Sequence, residues 1–326
     1  MAVTDANLDA QRRPRQSRSL ERTSARAANV FVVLNPISGS SDPDTARSAF
    51  ERHVCVAGAV CRIHEPSPGE RLADLVREAV RSGSDLVVAA GGDGTVSAVA
   101  NGLVGSGTPL GIIPLGTANV LARELGIPVD LEQACALLGG DHALAVIDAM
   151  EVDGKAYLTQ VGVGIDALMI RDTTTEDKRR FGRLAYIWTA ASRLVGFQPR
   201  RFELTADGRG LRVSASQVLV ANCGVLGQPP FRWGPDIVPD DGVIDVCVIR
   251  ARSLWDYARI GWNFVTGRHR QDPNVRYLKV RDEVTIAMVS SKPLPVQADG
   301  EIIGQTPVTV RNKPAALKVV VPVTTG

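Results

Sequence analysis

Cysteine and histidine are scarce in this chain of 326 residues, with five of the first and four of the second. Cys55, Cys61, Cys135, Cys223 and Cys247 are odd in number and scattered, and the histidines do not cluster. No zinc-ligand spacing forms, which predicts a reduced, cytoplasmic protein without structural zinc. No apolar stretch is long enough to span a bilayer, and the N-terminal segment lacks the apolar core of a secretory signal. Neither charge sign dominates: Lys+Arg 37 against Asp+Glu 35 gives +2, which says little about partners; no nucleic-acid partner is expected. Whole motif classes are missing as well. No GxxxxGK[ST] occurs, no GxGxxG follows a strand, the protein-kinase set is absent, and neither a GxSxG nor a His placed for a triad is found. P-loop enzymes, Rossmann dehydrogenases, protein kinases and serine hydrolases are thereby set aside.

What remains is ordinary for a globular chain: 44% hydrophobic and 22% charged residues, enough for two domains. Arg12, Arg13, Arg15, Arg18, Arg22 and Arg26 crowd residues 1–27, which read as a disordered basic leader. Its arginines could meet anionic lipid, but the reading preferred for them is a solvated tail.

The chain is organised around Gly91-Gly92-Asp93-Gly94-Thr95. An apolar run, Asp85 to Ala90, precedes it and reads as a buried parallel strand. Val96 to Leu103 follows as a short helix. Strand, glycine turn and helix start together suit phosphate, because glycine admits close approach and the helix N-terminus presents amides. A carboxylate at Asp93 makes sense there if it works through Mg²⁺ or takes a proton from a nucleophile. The same five residues also fit a tight turn with a capping Asp. Pro114 to Asn119 repeats the layout after a strand over Pro109–Pro114, with Gly116 at the turn and Thr117 and Asn119 as polar groups. Val30–Leu34 is another buried strand, running into Asn35-Pro36-Ile37-Ser38-Gly39. Val60–His64 is a further strand, and helices are expected after Asp42 and over about 70–81. Strands alternating with helices imply a parallel sheet with ligands beyond its carboxyl ends.

After about Ile147 the pattern changes to hairpins. Asp153-Gly154 and Asp207-Gly208 are turn signals, and short alternating strands run to Val323, interrupted by helices over about 179–195 and 254–266. Leu211 to Ala221 reads as one strand. The predicted fold class is α/β in two domains: an N-terminal doubly wound parallel-sheet nucleotide domain (28–146) and a C-terminal antiparallel β-sandwich-like domain (147–326), whose last strand can return to the first.

These motifs resemble the diacylglycerol kinase catalytic family, which includes bacterial lipid kinases and sphingosine kinases. The resemblance rests on GGDGT at Gly91–Thr95, NPxSG at Asn35–Gly39 and PLGTAN at Pro114–Asn119. Lys178–Tyr186, Asn222, Pro235–Val246 and Asp299-Gly300-Glu301 continue it. It implies phosphoryl transfer from ATP, with Mg²⁺, to a lipid hydroxyl. It further implies catalytic acids at Asp93 and Glu301 and nucleotide contacts from Asn35, Ser38, Gly91, Gly92, Gly94, Thr95, Gly116, Thr117 and Asn119. Asp241, in Pro239–Val243, is the expected ligand of a structural divalent cation. The expected setting is the cytoplasm, with peripheral contact at the membrane inner surface and a homodimer as one assembly. Two residues depart from the family: Ala98 and Val120 stand where acids are common, which leaves open a nucleotide- or lipid-binding member with degraded catalysis, and a kinase for a soluble metabolite is a further alternative. From the residues alone, Asp299-Gly300 is an ordinary hairpin turn; the resemblance moves Glu301 to the nucleotide site. Asp93 is expected to be the residue whose loss abolishes chemistry and spares the fold. Trp255, Tyr257, Trp262 and Phe264 crowd one helix near Arg259, Arg268, His269 and Arg270, which suits either a bilayer interface or packing on the β domain.

Overall fold

In the computed structural model, the structure describes residues 21–23, 27–35, 43–55, 59–172, 199–227, 231–234, 236–289 and 292–323. The expected helix over 179–195, the Lys178–Tyr186 stretch and Ser38 lie outside the described residues.

The first half builds β1 (Glu21–Thr23), β2 (Asn29–Leu34), α1 (Pro43–His53), β3 (Val60–His64) and α2 (Leu72–Arg81). It continues with β4 (Leu86–Gly91), α3 (Asp93–Leu103), β5 (Leu110–Pro114), α4 (Val120–Glu124) and α5 (Leu131–Gly139). Strands β5, β4, β2 and β3 lie side by side and parallel. Their side chains alternate between two cores. Phe31, Val33, Val87 and Ala89 face Val76, Val99 and Leu103 of α2 and α3. Val30, Val32, Leu34 and Val88 face Ala46, Phe50, Cys135 and Leu138 of α1 and α5. Burial on both sides is why these strands read as continuous apolar runs rather than as alternating ones.

The second half contributes β6 (His142–Val152), β7 (Lys155–Tyr157), β8 (Gln160–Gly164), α6 (Ile165–Asp172), β9 (Arg200–Ala206), β10 (Arg209–Ala215) and β11 (Gln217–Ala221). Then follow β12 (Ile244–Ile249), α7 (Leu254–Val265), β13 (Val275–Val280), β14 (Glu283–Met288), β15 (Pro295–Ala298), β16 (Glu301–Gln305) and β17 (Val308–Val321). Strand β17 joins the halves. Val308 to Arg311 pair with β14, and from Arg311 to Val321 the strand pairs with β6 across an irregularity after Lys313, while Val319 pairs parallel to Leu110 of β5. The parallel strands therefore continue into the antiparallel order β10-β9-β14-β17. A second sheet, β13-β12-β11-β8-β15-β16, stacks on that extension. Val161, Val163, Val218, Val220, Val246 and Val248 of this sheet meet Phe202, Leu204, Val284 and Ile286 of the first in one core. A two-layer antiparallel sandwich results, as expected.

Three readings need correction. Residues 211–221 are not one strand. The chain breaks at Ser216, whose backbone amide and hydroxyl both donate to the Ile249 carbonyl (2.8 and 3.1 Å), and β10 and β11 belong to different sheets. A strand that switches sheets makes a sandwich corner, and the apolar pattern runs straight through it. Within the segment read as a disordered leader, Glu21–Thr23 pairs antiparallel with His142–Leu144 at the edge of β6. Edge pairing uses backbone groups, so a run of arginines does not forbid it. Finally, Cys55 and Cys61 form a disulfide with Cα atoms 5.7 Å apart, linking the end of α1 to β3, where unpaired cysteines were expected. Helix and strand meet there because parallel connections bring each helix end back to the sheet.

Candidate active site

Every predicted N-terminal motif sits at the carboxyl end of a parallel strand: Asn35 after β2, Gly91–Thr95 after β4, Pro114–Asn119 after β5. Helix α3 begins at Asp93 itself, with Gly92 extended (φ −87, ψ −177) in the capping position. The motif is thus half turn and half first helical turn. Gly92 offers no side chain to cap the helix, which leaves the initial amides to an external acceptor such as phosphate.

Close approach decides the glycines. A Cβ on Gly116 would lie 2.6 Å from Gly92 Cα, so the two glycine turns touch backbone to backbone. A Cβ on Gly91 would lie 2.5 Å from Thr95 Oγ1. We expect Gly116→Ala to force the turns apart and cost about 1–3 kcal/mol, as overpacking does. A thermal melt checks this, and an unchanged melting temperature would contradict the contact.

Hydrogen bonds lock the three motifs together. Asn35 Nδ2 donates to Thr95 Oγ1 (3.0 Å), and the Asn35 amide donates to the Ala90 carbonyl. Asn119 is left-handed (φ 48) and almost fully buried. Its Oδ1 accepts from Gly116 N (3.0 Å), while its Nδ2 donates to the carbonyls of Gly116 (2.7 Å) and Pro114 (3.4 Å). Its amide group therefore braces its own loop instead of facing outward, unlike the exposed Thr117. Asp93 bridges to the same loop. Its two oxygens accept from Asn119 N (2.9 Å) and Val120 N (2.7 Å) at the start of α4. Burial is the largest influence on Asp93 and pushes its carboxyl above the ordinary range, the two amides pull it back, and Asp299 pushes it up again.

The second half reaches the same place through the β15–β16 hairpin. Asp299 (φ 46) and Gly300 (φ 89) make its left-handed turn, so the hairpin reading of the Asp-Gly pair also holds. The Glu301 carboxylate is nevertheless directed at the glycine motif: Oε1 lies 3.6 Å from where a Cβ on Gly94 would stand. Glu301 is exposed, and among the described residues no hydrogen bond or ion pair holds its carboxylate. Asp299 is the opposite case. It accepts from Ser97 Oγ (3.0 Å) on α3, from the amides of Leu158, Thr159 and Gln160, and from Thr159 Oγ1 (2.6 Å). It pins the hairpin to α3, a role that turn chemistry alone did not reveal. Trp233 was likewise missed; its Nε1 donates to Gln160 Oε1 (3.0 Å) beside that turn.

Asp241 lies elsewhere. Lys279 Nζ stands 3.2 Å from Asp241 Oδ2 and 3.1 Å from Asp245 Oδ2. An ammonium occupies the place expected for a structural cation, so the residues as placed do not fit a divalent ion there. The loop is held instead by Asp148, whose oxygens accept from Gly242 N and Ala315 N (both 2.8 Å). Near Asp93 the donors suit Mg²⁺ better. Few carboxylates converge, and Mg²⁺ characteristically takes one or two carboxylates while keeping waters and substrate phosphates. Among the described residues, no three His, Cys, Asp or Glu side chains form a closed cage.

Comparison with known proteins places this geometry. Residues 29–152 match the diacylglycerol kinase catalytic domain, and residues 159–321 match the YegS C-terminal NAD kinase beta sandwich-like domain. The chain is 28% identical to a diacylglycerol kinase of Bacillus subtilis, over 89% of this chain and 95% of that protein. It is 29% identical to a diacylglycerol kinase of Mycobacterium tuberculosis, over 76% of this chain and 80% of that protein. It also shares 29% identity with an uncharacterized protein of Synechocystis, over 90% of this chain and 70% of that one. A crystal structure of a diacylglycerol kinase from Bacillus anthracis shares the fold, with a TM-score of 0.69 at 20% identity over 90% of this chain and 97% of that chain. Two matched domains in order, with their three glycine and asparagine motifs joined at one sheet end, show that the chain belongs to the diacylglycerol kinase catalytic family.

Proposed function

We propose that this protein transfers the γ-phosphoryl group of ATP directly to a lipid hydroxyl. The observation that carries the reading is Glu301 reaching across from the second domain to Gly94, while both oxygens of Asp93 are engaged by amides. Glu301 is then the base. It accepts the hydroxyl proton as the lipid oxygen forms its bond to phosphorus and the bond from phosphorus to the ADP oxygen breaks. Direct transfer of this kind demands positioning and charge stabilisation more than covalent chemistry. The joined turns at Gly92 and Gly116 and the first turn of α3 supply the phosphate cradle. Asn35 and Thr95 hold it in shape through their mutual hydrogen bond. Asp93 acts mainly by positioning: it fastens the Pro114–Asn119 loop to α3, and its carboxylate is the group that would help hold Mg²⁺ there. The metal, when bound with the nucleotide, neutralises phosphate charge.

Val120, where the family commonly has an acid, takes part through its backbone amide. Loss of that acidic side chain therefore leaves the Asp93 bridge intact. The test is ATP turnover on a panel of lipid alcohols against water-soluble alcohols. We expect phosphate to appear on a lipid. Nucleotide binding without turnover on any alcohol would mark a binding protein, and turnover on soluble alcohols alone would mark a metabolite kinase.

A further inference from the structure

Helix α7 carries two apolar stripes where one would suffice. Its inner stripe, Tyr257, Ile260 and Phe264, packs over Leu219, Ala221, Cys247 and Val275 on the outer face of the second sheet. Its outer stripe, Trp255, Ala258, Trp262 and Val265, follows the same helical spacing and lies in solvent. Trp255 is 85% exposed and Trp262 66% exposed. A helix apolar on both sides is ordinarily buried on both sides, so the outer stripe lacks its cover.

The charges around the stripe indicate that cover. Between residues 250 and 276 there are six arginines (250, 252, 259, 268, 270, 276) against two acids, Asp256 and Asp272. Both acids are consumed locally. Asp256 closes the capping box with Ser253 at the start of α7. Asp272 is buried and accepts from Arg259, Asn263 and the Asn274 amide. Arg259 is itself paired with Asp272, while Arg252 and Arg268, just before and just after α7, are exposed, so cations flank the tryptophan stripe at both ends of the helix. In a two-fold dimer the same patch would face itself, arginine against arginine, which disfavours a second copy as the cover. Indole rings with surrounding arginines match the boundary of an anionic bilayer, where the ring is half desolvated and the cations meet headgroups.

We propose that the outer face of α7 is where this protein rests on an anionic lipid surface. The proposal deepens the lipid-kinase reading above and rests on it for its purpose, though not for its test. The same helix is coupled to the site. Phe264 meets Trp233 edge to face at 5.4 Å, Trp233 donates to Gln160, and the Gln160 amide donates to Asp299 (3.1 Å). A lipid surface under α7 would thus share one packed framework with the Asp299-Gly300-Glu301 turn.

The test uses the full chain without nucleotide, co-sedimented with vesicles of phosphatidylcholine containing phosphatidylglycerol and with vesicles of phosphatidylcholine alone. We expect binding to the anionic vesicles that weakens with salt, a blue shift of tryptophan emission, and little binding to the neutral vesicles. The double variant Trp255→Ser/Trp262→Ser should bind about tenfold or more weakly and lose the blue shift, while Trp255→Phe/Trp262→Phe should retain most binding. Both positions are exposed, so a melt matching the wild type shows that the serine variant folds. Failure of the wild type to bind, or equal binding by the serine variant, overturns the proposal. A wild-type dimer that the serine substitutions dissolve, with no vesicle binding, overturns it in favour of a second copy. Turnover on a short-chain, water-dispersed diacylglycerol separates the two readings. Vesicle binding without any such turnover supports the α7 surface and counts against the kinase assignment alone.

Discussion

Glu301→Gln is expected to remove most turnover, on the order of 10²–10⁴-fold, and to leave the melting temperature where it was. Glutamine keeps the length and shape of the side chain and cannot take a proton. Glu301 is exposed, and among the described residues nothing is hydrogen-bonded to its carboxylate, so folding stability draws little on it. Exposed substitutions of this kind usually stay within about 0.5 kcal/mol. The fall should lie in kcat, with nucleotide affinity nearly unchanged, because the base acts in the transition state. Turnover, nucleotide affinity and a melt measured together decide it. A Glu301→Gln enzyme with wild-type turnover would remove Glu301 from the chemistry.

Asp93→Asn should lose turnover to a similar degree but for a different reason, and it should lose stability as well. The sequence alone suggests an isosteric change that spares the fold. The structure makes both oxygens of Asp93 acceptors for the amides of Asn119 and Val120. Asparagine has one carbonyl oxygen and one amide group, so one backbone N–H would meet another donor. A buried donor left unpaired costs about 1–3 kcal/mol, a drop of several degrees in a chain of this size. The pH dependence has a definite sign. Folding raises the Asp93 pKa, chiefly through burial. The group's stabilising contribution is therefore full below the ordinary carboxylate range and is lost as pH rises through the raised folded value. The asparagine side chain of the variant does not titrate and has no such dependence. The wild-type advantage in melting temperature should be largest in acid and shrink on approach to neutrality. A variant that melts like wild type at every pH would show that Asp93 does not hold the Pro114–Asn119 loop.

Local pattern settled much of this protein. Runs buried on both faces marked β2, β4 and β5 as parallel strands, because only a sheet covered by helices on both sides buries consecutive side chains. Glycine and asparagine at the strand ends marked the turns, because Gly92 and Gly116 have no Cβ where two backbones touch and Asn119 accepts a left-handed conformation. The hairpins at Asp153-Gly154 and Asp207-Gly208 were legible for the same reason. Other features depend on partners distant in sequence. Whether Asp93 is a free base or a clasp depends on amides 26 and 27 residues away. Whether Asp299-Gly300-Glu301 is only a turn depends on α3, about 200 residues back: Ser97 anchors Asp299, and Gly94 leaves room for Glu301. The corner at Ser216 was hidden because both flanking strands bury apolar residues. The Lys279 pair at Asp241 was hidden because the loop before β12 and strand β13 supply it from separate stretches of chain. Layers and turns could be read along the chain, because their causes are local sterics and periodicity. Which carboxylate is fastened and which is left facing the site emerges on folding, because hydrogen-bond partners and burial are properties of the assembled sheet.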